Sequence, residues 1–111
     1  MPKKARPYSH YAKEAAVLLG QLIRQARIER RMTTQELAER VGLSRGLLRR
    51  IENGDLGCTL GAVFETAAVV GVHLFDADEA KMTAAVNEKR PFMALLPKAI
   101  RTPRVKADDD F

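Results

Sequence analysis

A single cysteine, Cys58, stands in 111 residues. It leaves no disulfide framework and no thiolate metal site, and its expected place is a small slot in a core. The two histidines, His10 and His73, have no partners at ligand spacing, so a metal centre is not expected. His10 is assigned no role, and His73 reads as a surface or satisfied histidine. Tryptophan is absent and aromatic residues make up 5% of the chain, which suits a small helical packing unit better than a β-sandwich. No apolar run reaches the length of a membrane helix. Lys3, Lys4 and Arg6 precede Ala15-Ala16-Val17-Leu18-Leu19. That apolar run is too short for a secretory signal and passes straight into an amphipathic pattern, so a cytoplasmic location is expected. Gly54 and Gly57 are not followed by the Lys-Ser or Lys-Thr pair of a phosphate cradle. Asp108, Asp109 and Asp110 form a run that reads as solvated rather than as a cation site. No hydrolytic constellation can be assembled. The expectation is a binding protein, not an enzyme, with no cofactor.

What is present is a basic chain with enough apolar content for one core and a tail. Hydrophobic residues make up 46% and the formal charge is +5. The charge is unevenly placed: residues 1–58 carry twelve Lys and Arg against six Asp and Glu, whereas residues 59–111 carry seven against eight. An excess confined to the first half suggests a phosphate backbone as partner; the plain alternative is a generic basic surface.

The first half also holds the most informative stretch, Met32 to Gly54. Thr33 is placed to cap a helix, with Glu36 three residues on to complete a capping box. Leu37 and Val41 share a face, and Gly42 supplies a left-handed stop. Ser44 caps a second helix that ends at Gly54. Leu47, Leu48 and Ile51 fall on one side of it, and Arg45, Gly46, Arg49, Arg50 and Asn53 on the other. A short helix, a glycine turn and a second helix with an arginine face have the layout of a helix-turn-helix reader of DNA. In that layout Arg45 and Arg49 lie nearest the base edges, where an arginine fork can grip guanine. Gly46 lets the backbone approach or reads nothing, and Arg50 reaches a base or a phosphate. Thr34, Gln35, Ser44 and Asn53 are the expected phosphate contacts, which fix register without reading sequence.

Around this stretch the chain divides into a basic arm (1–11), a helix-turn-helix domain (12–75), a C-terminal helical segment (76–96) and a flexible tail (97–111). The arm either follows DNA or has no fixed structure. A first helix is expected from about Ala12 to Arg31, with Leu18, Leu19, Leu22, Ile23 and Ala26 as its apolar stripe. Thr59 should cap a further helix with Val63, Phe64, Ala67 and Val70 facing inward and Gly71 ending it. Asp76 or Asp78 should open another, with Met82, Ala85, Val86 and Met93 as apolar positions, ended or kinked by Pro91. That helix either packs on its own domain or contributes to a dimer contact.

Several features together, Ile23-Arg24-Gln25-Ala26-Arg27, Glu36-Leu37-Ala38, Val41-Gly42-Leu43-Ser44 and Ile51-Glu52-Asn53-Gly54, resemble the lambda-repressor-like, or Xre, transcriptional regulators. The likeness runs from about Gly20 to Leu74. It implies an all-α fold: a lambda-repressor-like DNA-binding domain of about five helices with an extended C-terminal tail. It also implies a structural ion pair between Arg27 and Glu52, and a homodimer on a palindromic double-stranded operator. One position departs from the family pattern: Thr34 stands where a phosphate-touching Gln is usual, with shorter reach. The tail, from Leu95-Leu96-Pro97-Lys98 to Asp108-Asp109-Asp110-Phe111, is similar in composition to those of HipB-type antitoxins. That likeness implies a HipA-like serine/threonine kinase toxin as partner, engaged by Asp108, Asp109, Asp110 and Phe111. The alternatives are a stand-alone, prophage-like Xre repressor and a protein-interaction module that has lost DNA binding.

Overall fold

A serine decides where the first helix starts. In the computed structural model, which describes residues 7–101, Ser9 Oγ accepts the Ala12 N–H at 3.1 Å and α1 runs His10–Glu29. The helix therefore begins two residues before the expected Ala12. The same device opens every other α-helix among the described residues. Thr33 caps α2 (Thr34–Val41), Ser44 caps α3 (Arg45–Glu52), Thr59 caps α4 (Leu60–Val70) and Asp78 caps α5 (Glu79–Leu95). In each case a short polar side chain satisfies a backbone donor that has no partner inside the helix. The Thr33–Glu36 capping box is complete, with Thr33 N–H donating to Glu36 Oε1 at 2.8 Å and Glu36 N–H to Thr33 Oγ1 at 3.0 Å.

The stops are equally local. Gly42 ends α2 at φ 87°, where a side chain would clash with its own backbone. The α1 terminus is less obvious: Arg31, not a glycine, takes φ 58° there. That conformation costs a non-glycine residue on the order of 1 kcal/mol.

The chain divides into two compact units, with the boundary after Asp76. In the first, α3 packs on α1 and α2, and α4 packs on the same two. Ile23 from α1, Leu37 and Ala38 from α2, Leu48 and Ile51 from α3, and Ala67 and Val70 from α4 make the buried core. Each fully buried Leu or Ile contributes roughly 1.5–3 kcal/mol. Among the described residues Thr66 is the one buried polar residue without charge, and its Oγ1 donates to Ala62 O at 2.7 Å. Val63, Phe64 and Cys58 are half-buried, and His73 is exposed.

The α1 stripe differs from expectation. Leu18 and Leu22 are 55% and 40% exposed, and the inward face is Leu19, Gly20, Ile23, Ala26 and Arg27. Two apolar rows lie about 100° apart on this helix, and periodicity alone merges them. Gly20 chooses between them: a Cβ there would sit 2.6 Å from the carbonyl oxygens of Ile51 and Glu52. The absence of a side chain lets the end of α3 rest directly on α1.

The second unit contains α5. It continues through Pro91 to Leu95, so the proline does not end it. A proline removes one hydrogen bond, and good helix formers on both sides keep the rest of the ladder. No residue of α5 is buried; Met82 is half-buried, while Ala85, Val86 and Met93 are exposed. The expected tail contacts Asp108, Asp109, Asp110 and Phe111 lie outside the described residues, as do residues 1–6 of the arm.

Candidate nucleic-acid interface

The outward surface of α3 follows from which of its residues the core takes. Leu48 is fully buried and Ile51 is 3% exposed, and with half-buried Leu47 they hold the helix to α1 and α2. At 100° per residue, Arg45, Gly46, Arg49, Arg50 and Asn53 must then face away, and all five are exposed. Arg45 and Arg49 lie one turn apart. Among the described residues neither joins an ion pair, so both guanidiniums are free for a partner. A Cβ on Gly46 would meet nothing within 4 Å. Nothing inside the protein requires glycine there.

The polar residues divide by position. Ser44 Oγ accepts the Leu47 N–H at 3.0 Å, which leaves its own O–H to donate outward. Thr34 and Gln35 open α2, where first-turn N–H groups lack intrahelical acceptors. Thr34 is half-buried, and Gln35 is exposed with its amide donating to Glu39 Oε2 at 2.8 Å. Asn53 caps the opposite end of α3 from Ser44, about 13 Å away at 1.5 Å per residue. Thr34 and Gln35 thus stand at the start of α2 and Ser44, Arg45 and Gly46 at the start of α3, while Arg49, Arg50 and Asn53 occupy the last turn and end of α3.

Arg27 and Glu52 form a bidentate pair. Arg27 Nε donates to Glu52 Oε2 at 2.7 Å, Nη2 donates to Oε1 at 3.1 Å, and Nη1 donates to Met32 O at 2.9 Å. The side chains are 11% and 6% exposed. The hydrogen bond to Glu52 raises the Arg27 pKa, partly opposed by burial. One guanidinium thus ties α1 both to the end of α3 and to the turn before α2, which fixes how far the recognition helix projects.

A second pair was not foreseen. Arg50 Nε donates to Asp55 Oδ2 at 2.7 Å, and Asp55 Oδ1 accepts the Gly57 N–H at 2.7 Å. The five-residue spacing crosses the end of α3, so no helical i,i+4 rule reveals it. Cys58, beside this pair, has its thiol pushed up by burial. Among the described residues no group of His, Cys, Asp and Glu is placed to hold a metal ion, and no helix is long and apolar enough to cross a membrane.

Two capped helices joined at a left-handed glycine, with the second showing arginines outward, define a DNA-binding helix-turn-helix regulator. A family model described as a helix-turn-helix domain matches residues 18–80, more than half of the chain, and the chain belongs to that family. Its kind is that of the Xre, lambda-repressor-like regulators. No curated protein and no solved structure matches it.

Proposed function

We propose that this protein is a sequence-specific transcriptional repressor that binds a palindromic operator as a homodimer, with α3 in the major groove. The observation that carries the reading is the pair of unpartnered guanidiniums, Arg45 and Arg49, one turn apart on the exposed side of a helix clamped by Leu48, Ile51 and the Arg27–Glu52 pair. Arginine forks there suit guanine O6 and N7, each good pair giving roughly 1–3 kcal/mol of discrimination. Thr34, Gln35 and Ser44 anchor phosphates on either side. The action is binding rather than catalysis, in the compartment that holds the DNA, and needs no cofactor.

The proposal has a second half: the repressor is the antitoxin of a HipA/HipB-type pair and neutralises a kinase-like toxin through Asp108, Asp109, Asp110 and Phe111. It rests on the tail composition, in which an aromatic ring follows an acidic triplet, a natural anchor for a pocket on another protein. The test of both halves is footprinting of the chain's own upstream region, together with co-purification with the product of the adjacent reading frame. Arg45→Ala and Arg49→Ala should each abolish the footprint at physiological salt. Deletion of residues 97–111 should release the partner but keep the footprint. Protection unchanged in the arginine variants would overturn the first half. Protein associations unaffected by the deletion would leave a stand-alone Xre repressor.

A further inference from the structure

Arg50 is the one exposed arginine of α3 that is already held. Asp55 fixes it from beyond the helix end, through the 2.7 Å bond to Nε. The carboxylate is in turn fixed by the loop, through the Gly57 N–H at 2.7 Å. Gly57 also makes room for the arrangement: a Cβ at that position would lie 3.2 Å from Arg50 Nη2 and 3.1 Å from Asp55 Oδ1. Both side chains remain open to a ligand, at 52% and 39% exposed. With Nε engaged, the outer Nη edge of the guanidinium still carries N–H donors.

We propose that Asp55 is a specificity-determining positioning residue of the DNA interface, which aims Arg50 at one contact and prevents it from acting as a general phosphate anchor. The inference rests on the DNA-binding reading of α3. An untethered arginine follows whatever phosphate is near and adds affinity for every sequence alike. Tethering Nε removes that freedom before binding, so less side-chain entropy is lost when the selected contact forms. The Asp55 charge also repels the phosphate backbone of any duplex. Only a duplex that gives the Arg50 Nη edge a well-placed acceptor offsets that repulsion, which is how a repulsive element generates specificity. The hydrogen bond from Arg50, followed by that from the Gly57 N–H, holds the Asp55 carboxyl below the usual aspartate range, so the charge is present at neutral pH.

The alternative role for Asp55 is a cap on the loop, and Asp55→Asn separates the two. The asparagine amide oxygen can still accept the Gly57 N–H, but the charge is gone. The full-length protein and this variant are each put through selection from a pool of duplexes with a randomised core of about 20 base pairs, enough for two half-sites. Each is also titrated with salt against poly(dI-dC). The variant should bind poly(dI-dC) about two- to five-fold tighter, as expected for removing one exposed charge partner. Its log–log salt slope should steepen by about one, the share of one additional neutralised phosphate. Its selected consensus should lose preference at the same position that Arg50→Ala erases, with a melting temperature at most slightly lowered, since the lost pair is exposed. Asp55→Ser, whose hydroxyl can also accept the Gly57 N–H, should repeat the result if the asparagine variant folds poorly. An unchanged consensus overturns the inference, whatever happens to non-specific affinity. A wild-type protein that enriches no sequence overturns the DNA-binding reading itself, and the inference with it.

Discussion

Gly20→Ala sets two well-known effects against each other, and the structure says which wins. Position 20 is inside α1, where helix propensity alone makes alanine better than glycine by roughly 0.5–1 kcal/mol. The new methyl would, however, sit 2.6 Å from Ile51 O and Glu52 O and 2.9 Å from Glu52 C. Real Cβ atoms essentially never come within 3.0 Å of such neighbours, so the contact must open by at least about 0.4 Å. The opposing atoms are backbone, which cannot rotate away as a side chain could. Overpacking of this sort costs typically 1–3 kcal/mol, so the net expectation is a loss of about 1–2 kcal/mol. For a domain of this size that is a fall in melting temperature of roughly 5–15 °C, read by circular dichroism at 222 nm. Gly61→Ala is the control, since its Cβ meets nothing within 4 Å. The effect should reach the interface as well, because the displaced carbonyls belong to the end of α3 that Arg27 clamps. A Gly20→Ala protein as stable as the Gly61→Ala control would refute the idea that α3 is seated on bare α1 backbone.

Arg27→Ala should destabilise the protein by about 3 kcal/mol in urea unfolding, since it leaves a largely buried Glu52 carboxylate and Met32 O without their donor. The double variant Arg27→Met, Glu52→Leu should recover most of that loss, and failure to recover would mean that packing rather than charge pairing dominates. Gly46→Ala meets no internal obstacle, so it should stabilise the fold by about 0.5–1 kcal/mol while weakening binding to the selected duplex. Tighter specific binding would argue that position 46 faces solvent in the complex. The folded-state pKa of Asp55 is lowered, so its contribution to stability is present above the unfolded pKa and lost as pH falls through the folded one. A carbon-13 titration of its carboxyl should therefore show a midpoint below the ordinary aspartate range, moving up in Arg50→Ala; an unchanged midpoint in that variant would mean that Arg50 does not hold the carboxylate.

Local chemistry was legible in the linear chain wherever cause and effect lie within one turn. Thr33, Ser44 and Thr59 were readable as caps, Asp78 as one of two candidates with Asp76, and Gly42 as a stop, because the groups they satisfy are three or four residues away. The outward set on α3 was readable for the same reason: eight residues with three apolar positions have only one way to present a buried side. The Ser9 cap could have been found by the same rule, and Gly20, an isolated glycine within an apolar helical pattern, carried a signal of close packing.

The tertiary structure decided what depends on partners more than one helical turn away. Which of two apolar rows on α1 turns inward was settled by the approach of the α3 carbonyls to Gly20, a contact between residues some thirty positions apart. The tether between Arg50 and Asp55 exists because the chain reverses after Gly54 and brings a loop carboxylate beside the helix it has just left. Periodicity assigns a side chain to a face, but the atoms it meets there are supplied by other segments, and only the packed chain brings them together.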